Sequence, residues 1–314
     1  MDRIETACDD SLTRGGGEIP HSGGVAAFTL RKRRPLPIPV LIAVPHAGRH
    51  YPAELLARLR HPAEASMRLE DRYVDLVADA VARETGAALL KAQAPRAMID
   101  LNRAPDDVDW DMVRGKDRTI GARLAAGRRS RSGLGLVPRR LPGLGELWNS
   151  HLTQGELKAR IDGVHLPYHF TLAKTLEAMR DRWGAALLID LHSMPPLGPK
   201  KGRERGADFV IGDRFGASCE ARIAMTALDH FDTAARPCAH NRPYAGGYVL
   251  DTHGSPARRI NAIQLEICRA IYLDEEMREP GSGLAETAAL VVGLVRRLAD
   301  ELCGGAGDVA QSAE

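Results

Sequence analysis

The sequence predicts a three-layer α/β/α fold built on a mixed, mostly parallel sheet. Two apolar runs, VLIAV at 40–44 and the run that opens Leu187–Met194, are long enough for strands covered on both faces. Amphipathic helical patterns separate these runs along the chain. Strands that alternate with helices favour a sheet lying between two layers of helices.

The predicted strands are short apolar runs bounded by polar or turn-forming residues. In chain order they are Ile38–Val44, Ala87–Gln93, Arg96–Leu101, Leu187–Met194, Asp208–Ile211 and Asn261–Ile267. Ala94 and Pro95 could join the second and third strands as a hairpin. In the last strand, Gln264 and Glu266 are expected on one face because side chains alternate along a strand.

The predicted helices carry start and stop signals in addition to their periodicity. Pro52 suits the first position of a helix, Thr153 and Glu156 fit a capping box, and Gly86 and Gly184 suit helix ends. The predicted helices are Pro52–Arg60, Ser66–Thr85, one that starts at Thr153–Glu156, His169–Trp183, Ala217–His230 and Leu284–Leu302. Gly246 and Gly247 favour a tight turn or a close approach of the backbone.

The composition along the chain predicts one large domain between two tails. Residues 1–35 are polar and Gly-rich, and we expect a disordered or loosely docked tail. Residues 36–303 form the predicted catalytic domain, with an irregular Arg-rich loop insertion at about 104–150, and residues 304–314 a frayed tail. The tail sequence Pro20–Gly23 imitates the Pro-His turn at 45–48, but no apolar strand precedes it, so we do not expect a functional site there.

The overall composition argues against several classes of function. The 314 residues are 44% hydrophobic and 27% charged with a net charge of +2, which does not indicate a nucleic-acid or membrane partner. No run reaches the length of a membrane-spanning helix, and the N-terminus lacks the apolar core of a signal peptide. The 5 cysteines form no CxxC pair and predict free thiols in a reducing cytoplasm. The oligomeric state is not predicted.

Two of the predicted strands each deliver a histidine to the same edge of the sheet. His46 follows VLIAVP and His192 follows LLIDL, and the carboxyl ends of strands are where open α/β sheets bind ligands. One histidine alone is more often structural, but two at equivalent strand ends favour a metal site. A catalytic zinc takes three His or Asp/Glu ligands and keeps one position for water. The carboxylate could be Asp71, with Glu70 and Asp75 as competitors.

Four other polar residues could complete a catalytic site. Arg96 could stabilise a developing oxyanion, and the adjacent Asn102 and Arg103 could grip a substrate carboxylate. Glu266 lies in the apolar segment NAIQLEIC, where low polarity would raise its pKa and suit a general base. As structural alternatives, the arginines could form surface salt bridges and Glu266 a buried ion pair with Arg242 or Arg258.

These segments resemble the N-formylglutamate amidohydrolases over roughly residues 38–275. The resemblance rests on segments that occur in the family's order: PHAGRHYP, ED followed by YVD, PRAMIDLNR, PYHFTL, LLIDLHSM, FVIGDRFGASC and GGYVLDTHGSPARRINAIQLEICRAIYLDE. It implies a zinc-dependent hydrolase with one Zn²⁺ per chain and a zinc-carboxypeptidase-like (phosphorylase/hydrolase-like) fold. It also implies a small-molecule substrate, an N-formyl or other N-acyl amino acid, and most specifically N-formyl-L-glutamate.

The resemblance also implies the ligands of the zinc ion, with one departure from the wider pattern. Zinc carboxypeptidases and aspartoacylase bind zinc through His-x-x-Glu and a later His, but here Arg49 stands three residues after His46. The carboxylate is therefore expected from the ED pair at 70–71, and we assign His46, Asp71 and His192 as ligands. Asp190 could orient one of the histidines.

Roles for the remaining residues follow from the same resemblance. Arg96 is expected to polarise the scissile carbonyl, Asn102 and Arg103 to hold the α-carboxylate, and Glu266 to move the proton between water and the leaving nitrogen. Arg242 or a loop arginine is expected to hold the glutamate side chain. The rival hypotheses are a degenerate binding protein of this fold and a nucleic-acid-associated protein that uses the arginines of 104–150.

Overall fold

The computed structural model describes residues 11–115, 132–199 and 206–311 and has an eight-stranded mixed sheet at its centre. The strands are β1 Ser11–Gly16, β2 Phe28–Arg33, β3 Val40–Val44, β4 Ala88–Ala92, β5 Val113–Arg114, β6 Arg140–Leu141, β7 Gly145–Glu146, β8 Leu152–Thr153, β9 Ala186–Met194, β10 Phe209–Gly212, β11 Cys238–His240 and β12 Ile260–Cys268. The central sheet has the order β1-β2-β4-β3-β9-β12-β10-β11, and β4, β3, β9 and β12 run parallel to one another. The short strands β5 to β8 form two small separate sheets.

Helices cover both faces of the central sheet. They are α1 Ala53–Arg58, α2 Pro62–Leu69, α3 Val74–Thr85, α4 Gln154–Arg160, α5 Leu166–Trp183, α6 Ala221–Thr233, α7 Tyr248–His253 and α8 Leu284–Gln311. Apolar side chains of α3, α6 and α8 pack on one face of the sheet, and those of α1, α2 and α5 pack on the other. Every residue of β9 and β12 is buried. The predicted three-layer α/β/α fold with a mostly parallel mixed sheet is therefore confirmed.

The N-terminal segment differs from the predicted loose tail. Residues 11–33 contribute β1 and β2, and β2 pairs antiparallel with β4. Ile19, Ala27 and Phe28 are at most 2% exposed, so this segment adds apolar area to the core despite its polar average composition. The prediction of a disordered or loosely docked tail is wrong for these residues, and residues 1–10 lie outside the described part. His21 of the imitation turn lies at the surface against Glu54.

Two predicted elements near the site differ from the observed structure. The predicted helix Ser66–Thr85 is two helices, α2 and α3, with a break at 70–73 where Tyr73 adopts a left-handed conformation with φ 54°. Arg96–Leu101 is not a strand but a series of turns, because Met98 and Ile99 bond back to Pro95 instead of pairing with β4. Its apolar side chains are still buried, which explains why the segment resembles a strand in sequence.

The Arg-rich insertion and the C-terminus are partly described. Within the insertion, residues 104–115 and 132–150 form the short strands and turns of the small sheets, and residues 116–131 lie outside the described part. The helix α8 continues to Gln311, beyond the predicted end at Leu302, so the expectation of a frayed tail from 304 does not hold up to that residue. Among the described helices, none is long and apolar enough to span a membrane.

Candidate active site

Three parallel strands bring the candidate catalytic residues to one edge of the sheet. His46 lies two residues after β3, His192 is near the end of β9, and Glu266 is near the end of β12. The register pairs His192 with Glu266 and Asp190 with Gln264. Since side chains alternate along a strand, these four residues emerge on the same face of the sheet.

Asp71 reaches the site from the break between α2 and α3. Its backbone N–H donates to the carbonyl oxygen of His46 at 3.0 Å, which fixes the break against the end of β3. The left-handed Tyr73 then allows α3 to start in a new direction. A continuous helix would not have carried Asp71 to this position.

His46, Asp71 and His192 form a compact, buried cluster with the composition of a metal site. One ligand atom from each residue can be chosen so that all three lie within 4.8 Å of one another. Oδ2 of Asp71 lies 2.9 Å from Nδ1 of His192 and 3.4 Å from Nδ1 of His46. The three residues are at most 3% exposed. The two Nδ1 atoms and Oδ2 therefore face a common point.

The other ring nitrogen of each histidine is held by a buried carboxylate. Nε2 of His46 lies 2.7 Å from Oδ1 of Asp100, and Nε2 of His192 lies 2.9 Å from Oδ2 of Asp190. Because a carboxylate only accepts hydrogen bonds, Nε2 carries the proton and donates it to the hydrogen bond, and the lone pair of a neutral ring is left on Nδ1. Nδ1 of His46 is buried and has no hydrogen-bond partner among the described residues. This orphaned nitrogen is the observation that fits a metal ion.

The charges of the cluster also favour a cation. Burial would raise the pKa of Asp71 and lower that of His192, but their mutual contact and the nearby Asp190 and His46 reverse both effects. The pKa of Asp71 is therefore held well below, and that of His192 well above, its ordinary value. A proton on Nδ1 of His192 occupies the position that a metal ion would take.

The competing carboxylates are engaged elsewhere. Glu70 accepts a hydrogen bond from the Tyr51 hydroxyl at 2.9 Å and pairs with Arg72 at 3.2 Å. Asp75 accepts two hydrogen bonds from the guanidinium of Arg49, at 2.9 and 2.8 Å. The structure therefore places Asp71 alone of the three candidates with the histidines.

Arg269, an arginine that sequence reasoning missed, controls the orientation of Asp71. Oδ1 of Asp71 lies 3.3 Å from Oγ of Ser193 and 3.4 Å from Nη2 of Arg269, and Nε of Arg269 donates to the same hydroxyl at 3.0 Å. These contacts occupy Oδ1 and leave Oδ2 for the histidine side. The available signal was the position of Arg269 directly after the buried strand β12.

Glu266 has the environment expected of a general base. It is 7% exposed, and burial, with smaller contributions from Asp71 and Asp190, raises its pKa to about 7 although His192 and Arg96 oppose the change. Its Oε1 accepts a hydrogen bond from Nε2 of Gln264 at 2.9 Å. The alternative of a buried ion pair is not observed, since the described residues provide no salt bridge to Glu266.

The PRAMIDLNR segment supplies the other polar groups. Nε of Arg96 donates to Oδ2 of Asp100 at 2.9 Å, and the backbone N–H of Asn102 donates to Oδ1 of Asp100 at 2.8 Å. Asp100 thus holds His46, Arg96 and Asn102 together. The sequence motif contains Asp100, but nothing in the sequence indicates this role.

A large cleft opens over the cluster. Its volume is about 1030 Å³, and its walls include every predicted site residue except Arg242. Arg242 is exposed and is absent from the described lining, where its neighbours Pro243 and Tyr244 appear instead. The arginines of the lining are Arg68, Arg96, Arg103, Arg269 and Arg278. A cleft this size with convergent polar groups is typical of a small-molecule site.

The fold and the cleft together define an α/β protein with a candidate hydrolytic metal centre at the carboxyl edge of its sheet. The family model for N-formylglutamate amidohydrolase matches residues 38–273. The chain therefore belongs to the N-formylglutamate amidohydrolase family, as the sequence resemblance indicated.

Individual relatives agree with this assignment. The chain is 31% identical over 242 residues to an N-formylglutamate deformylase of Pseudomonas putida, covering 76% of this chain and 83% of that protein. It is 29% identical over 269 residues to an N-formylglutamate deformylase of Pseudomonas aeruginosa, covering 84% and 92%. A crystal structure of N-formylglutamate amidohydrolase from Ralstonia eutropha JMP134 has a TM-score of 0.79 at 33% identity, covering 90% of this chain and 100% of that chain. A structure from Agrobacterium tumefaciens, at 18% identity and TM-score 0.63, shares the fold.

Proposed function

We propose that this protein is an amidohydrolase that cleaves N-formyl-L-glutamate to L-glutamate and formate with one bound Zn²⁺ ion. The observation that carries the proposal is the buried cluster of His46, Asp71 and His192 beside Glu266, in a member of this family. The relatives named N-formylglutamate deformylase support the substrate.

The donor set fits a zinc ion. His46 and His192 would bind through Nδ1 and Asp71 through Oδ2, while Asp100 and Asp190 hold the opposite ring nitrogens. When bound, zinc would lower the pKa of a water from about 15.7 toward about 7 and polarise a carbonyl oxygen.

Glu266 would act as the general base and then as the general acid. A carboxyl group with a pKa near 7 can accept a proton from water and return it to the leaving nitrogen at neutral pH. Its position next to His192 in the strand register places it at the cluster. The attack of water forms a C–O bond at the formyl carbon as Glu266 takes a proton from that water. The tetrahedral intermediate then collapses, the C–N bond breaks, and the amine leaves with the proton that Glu266 returns, which gives formate and L-glutamate.

Arg96 would stabilise the negative charge that develops on the formyl oxygen. Its Nε is held by Asp100, and no hydrogen bond joins its other guanidinium N–H groups to the described residues, so these groups can bind an oxyanion in the cleft. Because Asp100 also holds His46, the arginine and the metal ligand are positioned by one carboxylate.

The substrate carboxylates would bind to the remaining polar groups of the cleft. Asn102 and Arg103 are proposed to hold the α-carboxylate. The side-chain carboxylate of the glutamate would bind to Arg68 or Arg278, which line the cleft, and not to Arg242, which is absent from the described lining.

The test is release of formate from N-formyl-L-glutamate by zinc-loaded protein, with and without a chelator. Chelator-sensitive release supports both the reaction and the metal. Zinc at one ion per chain without release would direct the search to other N-acyl amino acids, and absence of both zinc and release would favour a degenerate binding protein. The predicted cytoplasmic location stays a prediction.

A further inference from the structure

A group of three buried histidines lies behind the Asn102–Arg103 turn and has no part in the proposed chemistry. His165, His169 and His253 are 1%, 7% and 8% exposed, and none of them belongs to the described lining of the cleft. His169 comes from the PYHFTL segment and His253 from the VLDTH segment, for which the sequence suggested no role.

Two of these histidines hold the backbone on either side of the turn. Nε2 of His169 lies 3.0 Å from the carbonyl oxygen of Leu101, and Nε2 of His165 lies 2.9 Å from that of Arg103. A carbonyl oxygen only accepts hydrogen bonds, so both Nε2 atoms carry a proton and donate.

The third histidine, His253, completes a series of hydrogen bonds in which each donor and each acceptor is defined. Nδ1 of His169 lies 2.9 Å from Nε2 of His253, and because Nε2 of His169 is the donor in the neutral ring, Nδ1 accepts from His253. Burial keeps this arrangement neutral, since it lowers the pKa of His169 well below its ordinary value and that of His253 to about 4.

The helix α7 connects this series of hydrogen bonds to the side chain of Asn102. His253 is the last residue of α7, and near the other end the backbone N–H of Val249 donates to Oδ1 of Asn102 at 3.0 Å. A Cβ atom at Gly247 would lie 2.6 Å from that same oxygen, so only glycine permits this approach. Oδ1 is thereby occupied, so Nδ2 is the only group of this side chain that can bind a ligand in the cleft that Asn102 lines. Its contacts within the protein are long, at 3.4 Å to Oδ2 of Asp190, 3.4 Å to Nε2 of His192 and 3.5 Å to Oε1 of Gln264, so a substrate carboxylate can compete for its N–H groups.

We propose that His169 and His253 are positioning residues that fix Asn102 as a hydrogen-bond donor for the carboxylate of the substrate. The contacts form a closed path from Leu101 through His169, His253 and α7 to the side chain of Asn102. His165 holds the carbonyl oxygen of Arg103, the residue after Asn102, by a hydrogen bond of the same kind. This inference rests on the proposed function, because it takes Asn102 and Arg103 as the carboxylate site.

The experiment compares His169→Leu with His169→Gln in the zinc-loaded protein. Glutamine keeps an N–H donor at the place of Nε2 and leucine does not. We expect His169→Leu to raise KM for N-formyl-L-glutamate by about 10-fold or more, the loss of one well-placed hydrogen bond to a charged group. The change in kcat should be smaller, and zinc content should stay at one ion per chain. His169→Gln should recover most of the lost KM.

The outcomes separate this inference from the proposed function. If the wild type releases formate but His169→Leu and His169→Gln have the same KM as each other, the inference is overturned and the proposed function is left intact. A wild type that releases no formate would overturn the function itself. A role in folding alone would lower Tm and the active fraction without raising KM. If His169→Leu does not fold, His253→Leu and His253→Gln make the same comparison, and again equal KM values contradict the proposal.

Discussion

Replacing Glu266 by glutamine removes the proposed base while leaving its surroundings nearly unchanged. The two side chains have the same shape, and the glutamine oxygen can still accept the 2.9 Å hydrogen bond from Gln264. The amide cannot take a proton from water at neutral pH. General acid–base catalysis typically contributes about 10²–10⁴-fold, so we expect kcat to fall by about 10²-fold or more, at least about 2.7 kcal/mol of transition-state stabilisation.

The pH dependence gives the same residue a second test. The base is active only when ionised, so kcat/KM should fall as the pH drops below the pKa of Glu266. That pKa is about 7 without a metal, and a bound cation would lower it, so the acidic limb should lie at or below about pH 7. The limb should disappear from the residual activity of Glu266→Gln.

The assay is formate release over a range of pH values, with zinc content measured for each protein. Glu266→Asp is the matched control, because it keeps a carboxylate but draws it back by one methylene group. It should retain the acidic limb and lose part of the rate. Wild-type turnover by Glu266→Gln at full zinc occupancy would refute the assignment of the base, and loss of zinc would show that the residue supports the metal instead.

The other predictions concern binding. Arg103→Ala should raise KM for N-formyl-L-glutamate with little change in kcat, and steady-state kinetics showing an effect on kcat alone would move Arg103 to a transition-state role. Asp100→Asn and Arg269→Gln should each weaken zinc binding by about 10–100-fold in a chelator competition, since each removes an orienting contact to a ligand; unchanged affinity in both would contradict the proposed ligand geometry. Arg242→Ala should leave KM within about 2-fold, because Arg242 lies outside the described lining of the cleft; a much larger rise would return it to the site.

The strands and their polar ends could be predicted because the relevant physics is local. Burial on both faces requires continuous apolar runs such as those of β3 and β9, and the point at which such a run stops identifies the edge of the sheet. His46, His192 and Glu266 were visible for this reason. Their mutual register, which places Glu266 beside His192, depends on pairing between segments more than 70 residues apart along the chain, so sequence supplied only the expectation that they meet.

Long-range contacts determined the features that the sequence misjudged. Residues 11–33 are polar on average, yet β1 pairs with β2 and β2 pairs with β4, which satisfies the backbone of both strands, and Phe28 is buried. The break between α2 and α3 has no proline or glycine to announce it, because it is held by the bond from Asp71 to His46 and by the left-handed Tyr73. Arg242 is close in sequence to cleft residues but lies outside the described lining of the cleft, which no periodicity could indicate.

The balance of buried charge explains why these separate features belong together. Asp71, Asp100, Asp190 and Glu266 are all buried around the two histidines, and an uncompensated buried carboxylate is costly. Arg96 pairs with Asp100 and Arg269 contacts Asp71, which leaves negative charge that is offset in the metal-free protein by protons. Those protons are carried by the His192 ring and the Glu266 carboxyl group, whose pKa values are raised. A divalent cation held by Nδ1 of the two histidines and Oδ2 of Asp71 would replace the proton on His192 and lower the pKa of Glu266, so that a larger fraction of Glu266 is ionised at neutral pH as the base that the hydrolysis needs.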